Sequence, residues 1–273
     1  MSIRKSVEQV VNHRPRKRFG QNFLRDEGVI HAIARAVAAH KTDHIVEIGP
    51  GEGALTEALI TSGCQLDAIE LDRDLRARLL AAFSGYPRFT LHSADALNFD
   101  FASLAEGQNI RVVGNLPYNI STPLIFKLLD YGSVISDMHF MLQHEVVERM
   151  GAKPGNKEWG RLGVMTQFRC EVEPLFAVPP EAFYPPPKVQ SAIVRLAPHL
   201  QCPWPECDPV KLNRIVTQAF AQRRKTLRNN FKNTFDDSTM QSLGIDPSAR
   251  AESLSLNDFV ALASLPKWVT ERD

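Results

Sequence analysis

The sequence predicts an α/β fold with a mainly parallel sheet, followed by a small all-helical C-terminal domain. Three observations carry this. Short apolar runs alternate with amphipathic stretches through the first half, a glycine-rich turn follows the first apolar run directly, and beyond about residue 200 helical patterns continue without strand signals.

Taken in order, Asp26 is placed to cap a helix whose stripe is Val29, Ile30, Ile33 and Val37. His44–Ile48 reads as the first strand of the sheet and Ala54–Thr61 as the helix after its glycine turn. Leu66–Leu71, Phe89–His92, Ile110–Gly114 and Met138–Leu142 read as further strands, with Leu75–Phe83 and Pro123–Leu129 as intervening helices. Strands alternating with helices imply βαβ units and a sheet covered on both faces. The pattern changes after about residue 150. Lys153–Trp159 is a polar, Pro- and Gly-containing loop, and Val172–Val178 and Val189–Leu196 look like strands separated by the proline-rich Pro179–Lys188. Pro198–Pro209 reads as a linker, and helical segments follow near 210–222, 226–234 and 256–264. The expected division is therefore residues 1–200 for the α/β domain and 201–273 for the helical one. No internal repeat is present.

Composition is that of an ordinary globular protein, 44% hydrophobic and 23% charged. No apolar stretch approaches the roughly 18–20 residues that span a membrane, and the basic, polar N-terminus has no secretory h-region. Cys64, Cys170, Cys202 and Cys207 form no framework. His199, Cys202 and Cys207 lie close in sequence but lack a fourth ligand and a paired CxxC, so no metal is expected and the thiols read as those of a cytoplasmic protein. Net charge is only +1, yet its distribution is uneven. Arg4, Lys5, Arg14, Arg16, Lys17, Arg18 and Arg25 face the single acid Glu8, and Lys211, Arg214, Arg223, Arg224, Lys225, Arg228 and Lys232 occur with no acid among them. Such runs are either solvated faces or contacts to a polyanion touched from two sides.

The first strand of the sheet runs into Glu47-Ile48-Gly49-Pro50-Gly51-Glu52-Gly53. Glycines at this spacing let the chain turn tightly and bring backbone N–H groups close to a ligand. Glu70, at the end of the next strand, is placed to accept both hydroxyls of a ribose, and Asp95, at the end of the one after, to accept from an adenine amine. Recurrence at three successive strand ends favours an adenosine site over solvated loop carboxylates. It fits NAD and S-adenosylmethionine alike.

The next strand ends in Asn115-Leu116-Pro117-Tyr118. An exocyclic adenine amine is a poor nucleophile because its lone pair is delocalised into the ring. A side-chain amide oxygen and a backbone carbonyl that both accept from that amine hold it so that the nitrogen pyramidalises toward a methyl donor. Pro117 lacks an N–H and fixes φ, which stiffens the carbonyls beside it. Tyr118 offers a flat face for an extruded base. No strong base is required, since a sulfonium is a potent electrophile and the proton can leave to solvent. An ordinary turn opening a helix at Ser121 is the plainer alternative.

These residues resemble those of the ribosomal RNA adenine dimethyltransferases, most closely the bacterial branch that acts on the small subunit. Arg18-Phe19-Gly20-Gln21-Asn22-Phe23-Leu24 is similar to the family's N-terminal motif, and Phe183-x-Pro185-x-Pro187-x-Val189-x-Ser191 to a second signature, so the resemblance spans nearly the whole chain. It implies a Rossmann-like class I methyltransferase domain binding S-adenosylmethionine through Asn22, Leu24, Gly49, Gly51, Glu70, Asp95 and Asn115. It implies that Phe183 is a second wall for the target base, opposite Tyr118, beside the stiff Asn115-Leu116-Pro117-Tyr118 turn. The reaction implied is four methyl transfers onto two adjacent adenosines in the 3′-terminal hairpin of 16S ribosomal RNA, within an immature small subunit, by a cytoplasmic monomer. Arg223, Arg224, Lys225 and Arg228 would then grip phosphates, as would the basic N-terminal arm. Trp159 stands where the resemblance leads one to expect tyrosine, in what reads as a mobile loop. Three rivals remain. A large-subunit methyltransferase of the antibiotic-resistance type shares the Asn-x-Pro-aromatic box, but the Leu in that box and the segment around Phe183 disfavour it. A non-catalytic RNA-binding assembly factor would show a broken glycine turn or a lost Asn115. An NAD-dependent oxidoreductase would leave Asn115–Tyr118 unexplained.

Overall fold

Buried aliphatic runs separated by capped helices assemble here into a twisted seven-stranded sheet. The computed structural model describes residues 21–265, so Arg18, Phe19, Gly20 and the basic arm before them lie outside the described residues. A two-residue strand β1 (Phe23–Leu24) precedes helix α1 (Glu27–Val37), which Asp26 caps by accepting from the Val29 N–H at 2.8 Å. Ile30, Ile33 and Val37 form the buried stripe expected of α1. The sheet strands are β2 (His44–Ile48), β3 (Gln65–Glu70), β4 (Phe89–Ser93), β5 (Ile110–Asn115), β6 (Ile135–Gln143), β7 (Cys170–Val178) and β9 (Ser191–Pro198). Their order is β4-β3-β2-β5-β6-β9-β7, with β4 to β6 all parallel and β9 antiparallel to β6. Helices α2 (Ala54–Ile60), α3 (Arg73–Phe83) and α4 (Ser121–Leu129) connect the parallel strands. All five residues of β2 are buried, as a central parallel strand covered on both faces requires. Because β2 to β5 run in one direction, their C-terminal ends open along one edge, where such sheets bind ligands.

Two expectations about boundaries need correction. The strand read over Val189–Leu196 starts only at Ser191, and Val189 is exposed. Contacts also divide the chain differently from a cut at residue 200. One unit is Met1–Val147 with Glu173–Pro198, and the other is Glu148–Val172 with His199–Asp273. The excursion joins the C-terminal helices because it carries large apolar groups that pack there. It contains the second half of α5 (His144–Gly151) and all of α6 (Arg161–Arg169), neither of which the sequence pattern announced. Phe168 stacks on Trp204 with centroids 5.6 Å apart. Trp159, expected in a mobile loop, is 1% exposed, and its indole N–H donates to the Leu254 carbonyl at 2.9 Å. The remaining helices of this unit are α7 (Pro209–Phe220), α8 (Leu227–Phe231), α9 (Asp237–Ser242) and α10 (Leu256–Ala263). Helix α7 starts at an Asp208 cap followed by proline and buries Leu212, Ile215, Val216 and Ala219 at helical spacing. Ser255 and Asp258 form a reciprocal capping box at the start of α10.

Candidate active site

The glycine turn after β2 is built as its spacing suggests. Gly49, Gly51 and Gly53 all have positive φ, and the Gly49 N–H donates to the Ile69 carbonyl at 3.0 Å, tying the turn to β3. A side chain at Gly51 would be strained on two grounds. Its φ of 59° suits glycine, and a Cβ there would meet the Phe23 ring at 3.1 Å. Phe23 thus lies directly on the turn.

Glu70 ends β3 and is buried. One carboxylate oxygen accepts from the Asp72 N–H at 2.8 Å and the other lies 3.4 Å from the Gly51 N–H. Burial raises its pKa, against the pull of those hydrogen bonds. A carboxylate has about four acceptor positions, so capacity remains for hydroxyl donors. Asp95 accepts from the Leu97 N–H at 2.9 Å and from the Asn98 side-chain amide at 3.0 Å. Glu47 lies beneath the turn, fully buried, with the Thr56 hydroxyl donating to it at 2.6 Å.

Around these groups is a cavity of about 250 Å³. Asn22, Leu24, Gly49, Gly51, Glu70, Asp95 and Asn115, every residue expected to hold the cofactor, line it. So do Leu116, Pro117 and Tyr118.

Asn115 ends β5 opposite Met141 of β6, and the Leu116 N–H donates to the Met141 carbonyl at 3.2 Å. Just before it, a Cβ on Gly114 would sit 2.5 Å from the Ile48 carbonyl oxygen, a close approach of β2 and β5 that only glycine permits. The Asn115 amide N–H donates to the Asn22 carbonyl at 3.0 Å. With its donor end engaged, the side chain is held and its oxygen is left as the acceptor. The Tyr118 hydroxyl and the Ser191 hydroxyl share a hydrogen bond of 2.7 Å, and Ser121 donates to the Tyr118 carbonyl at 3.2 Å. The tyrosine ring is therefore pinned at its far end, and burial raises its pKa.

Phe183 sits elsewhere than a cavity wall. It lies on β8 (Phe183–Tyr184), pairs with Leu24 of β1, is 4% exposed, and packs in the core with Leu24, Met141 and Ile193. The exposed aromatic of this ribbon is Tyr184, with the Arg25 guanidinium 4.6 Å from its ring centre. Arg25 in turn pairs with Glu52 of the glycine turn at 3.2 Å. Three residues of the site are not singled out by the sequence pattern. Ser191 appears in it as the end of a signature and Glu47 as the start of the glycine turn. His139 lines the cavity from β6, buried, with no hydrogen bond to either ring nitrogen among the described residues and Asp137 at 3.6 Å. A buried polar residue inside the apolar run 135–143 was the available signal for it.

The four candidate phosphate contacts differ among themselves. Arg223 donates to the carbonyls of Lys157 and Trp159 and lies 3.8 Å from Glu252, so it braces its own unit. Arg228 pairs with both oxygens of Asp237. Arg224 and Lys225 are exposed. Among the described residues no His, Cys, Asp or Glu group is arranged to hold a metal, and no helix is long and apolar enough to cross a membrane. The four cysteines are free thiols, and His199 Nε2 lies 3.0 Å from the Gln167 carbonyl.

The profile of the family described as ribosomal RNA adenine dimethylase matches residues 12–266. The chain belongs to that family. It is accordingly a ribosomal RNA adenine dimethyltransferase, with the class I methyltransferase fold. It is 57% identical to ribosomal RNA small subunit methyltransferase A of Pseudomonas aeruginosa over 94% of this chain and 97% of that protein. It is 55% identical to the protein of the same name from Laribacter hongkongensis, over 92% and 96% of the two chains. Among solved structures it resembles a dimethyladenosine transferase from Plasmodium falciparum, with TM-score 0.74, 27% identity, and 88% and 95% of the two chains covered. The 23S rRNA methyltransferase ErmE shares the fold, with TM-score 0.70 and 24% identity over 89% and 98% of the chains.

Proposed function

We propose that the protein transfers methyl groups from S-adenosylmethionine to the N6 amines of two adjacent adenosines in the 3′-terminal hairpin of 16S ribosomal RNA. The substrate is an immature small ribosomal subunit, and the enzyme works as a cytoplasmic monomer. The observation that carries this reading is the Asn115 amide, anchored by its N–H to the Asn22 carbonyl at the rim of a cavity that also holds the glycine turn, Glu70 and Asp95.

The cavity suits the donor chemically. Gly51 keeps the turn open to a close ligand, Glu70 retains acceptor capacity for ribose hydroxyls, and Asp95 retains it for an adenine amine. Bound there, the sulfonium supplies an electrophilic methyl and departs as a neutral thioether. The chain's own residues do the rest. Asn115 Oδ1 and a carbonyl of the Leu116-Pro117 segment accept from the N6 protons, two at the first transfer and one at the second, and hold the nitrogen lone pair in line. Tyr118 supports the extruded base by stacking, about 1–3 kcal/mol, with its ring fixed by Ser191. One proton leaves the methylated nitrogen to solvent at each transfer. Phe183 is the proposed second wall, and its burial beside Leu24 means that its ring has to become more accessible to reach a base.

Undermethylated small subunits incubated with the protein and labelled S-adenosylmethionine should yield N6,N6-dimethyladenosine at two neighbouring positions of 16S RNA. Label in 23S RNA instead would favour the large-subunit reading, and unlabelled RNA would sink both. For the RNA contacts, Arg224→Ala with Lys225→Ala should weaken binding and reduce the salt slope of log K by roughly 1–2. A slope equal to the wild type would return this pair to a solvated face.

A further inference from the structure

Lys127 stands on α4, the helix opened by the Asn115–Tyr118 turn, and its ammonium is directed at the loop after β4. It donates to the main-chain carbonyls of Ala96 at 3.2 Å, Leu97 at 2.9 Å and Phe99 at 2.6 Å. An ammonium has three protons, so a single segment takes all of them. The Phe101 ring centre lies 5.5 Å from the same ammonium. Burial lowers the lysine's pKa, and the charges of Asp95 and Asp100 oppose that shift.

The loop so held is the one that carries Asp95, and Ala94 to Leu97 line the cavity. Peptide planarity makes the clamp directional. In a trans peptide the C=O and the following N–H point in opposite directions. Turning the Ala96 and Leu97 carbonyls toward Lys127 therefore turns the Leu97 and Asn98 N–H groups the other way. Those two donate to Asp95, Leu97 to the carboxylate at 2.9 Å and Asn98 to the main-chain oxygen at 2.9 Å. A cation on the carbonyl side also polarises each amide and strengthens its N–H as a donor. With these donors in place the Asp95 side chain has one orientation, and its remaining lone pairs are kept for a ligand.

We infer that Lys127 is a positioning residue for adenine recognition: it clamps the Asp95 loop from α4 and so couples the adenine pocket to the helix that carries the target-base turn. This rests on the reading of Asp95 as the acceptor for the cofactor's adenine amine.

The test compares binding of S-adenosylhomocysteine with S-inosylhomocysteine by calorimetry, using the full chain. The inosyl ligand has a carbonyl where adenine has its amine and so lacks the 6-position donor assigned to Asp95. The wild type should prefer the adenosyl ligand by on the order of ten- to a hundredfold, the size of a hydrogen bond to a charged group. Asp95→Ala should erase that preference. Lys127→Met, which keeps the stem and removes the donors, should shrink it by several-fold through the adenosyl ligand alone, and Lys127→Arg should recover part of it. A preference intact in Lys127→Met but lost in Asp95→Ala overturns the clamp. Equal weakening of both ligands in Lys127→Met also overturns it, because a loop that merely folds less well has no reason to single out the amine. A wild type that does not discriminate removes the Asp95 reading instead, so the two failures are distinguishable.

Discussion

Alanine in place of Asn115 is expected to lower the rate of methyl transfer by about 10²–10³ while RNA affinity stays within a few-fold and cofactor affinity falls far less than the rate. The reason is geometric. One amide N–H is bonded to the Asn22 carbonyl, which orients the side chain so that its oxygen is presented as an acceptor. Its task is to hold an amine whose nitrogen is reluctant to react, an interaction that strengthens as the lone pair localises in the transition state. Binding draws on other contacts: the glycine turn, Glu70 and Asp95 for the cofactor, and basic side chains for phosphates. Single-turnover transfer measured beside calorimetric binding separates the two. If affinity and rate fall together, Asn115 is part of the binding surface and the chemistry lies elsewhere. Asn115→Asp is a useful companion. It keeps an acceptor but loses the donor to Asn22, so an activity as low as that of alanine would show that anchoring matters as much as the oxygen.

What could be read before folding had local causes. Parallel strands buried on both faces leave continuous apolar runs, and β2, β3, β5 and β6 were legible for that reason. Asp26 was legible because a cap is a contact across three residues. The glycine turn, Glu70 and Asp95 were legible because glycines and carboxylates recur at successive strand ends, whereas Asn22 and Leu24 stood out only through the family resemblance; all of them line one cavity. The unread parts depend on contacts distant in sequence. β1 and β8 have two residues each, too short for any period, and they pair Leu24 with Phe183. That pairing buries Phe183, whereas the sequence shows only an aromatic beside prolines. Trp159 is buried through a partner near residue 254, and its polar neighbours hid this. The division at residue 200 failed for the same reason, since α6 packs with helices that follow it by tens of residues. Arg223 and Arg228 looked like Arg224 and Lys225 in a basic run, and only their acceptors separate bracing side chains from exposed ones. Lys127 left no trace at all, because a side chain bonded to main-chain carbonyls selects no residue types in its partner.

Replacing Glu47 with glutamine should stabilise the protein above neutral pH by about 3 kcal/mol and flatten its stability between pH 5 and 8. Glu47 is fully buried in the central strand, and burial, with the nearby charge of Glu70 adding, pushes its carboxyl up to about 7, against the hydrogen bond from Thr56. In the unfolded chain a glutamate titrates near about 4.3. Between these values the native state holds a proton that the unfolded state has released, so stability is greatest below the unfolded value and falls as pH rises through 7. Glutamine retains an oxygen for the Thr56 hydroxyl and carries no charge to desolvate. Urea melts from pH 5 to 9 measure the difference directly. The gap should be small at pH 5, widen up to pH 7 as the unfolded wild type releases a proton that folded Glu47 keeps, and stay level above it. Parallel curves would mean that Glu47 stays ionised in the folded protein. Cations drawn into the cavity would then have a fixed negative charge beneath the glycine turn, where a protonated Glu47 offers only a hydrogen-bonding group.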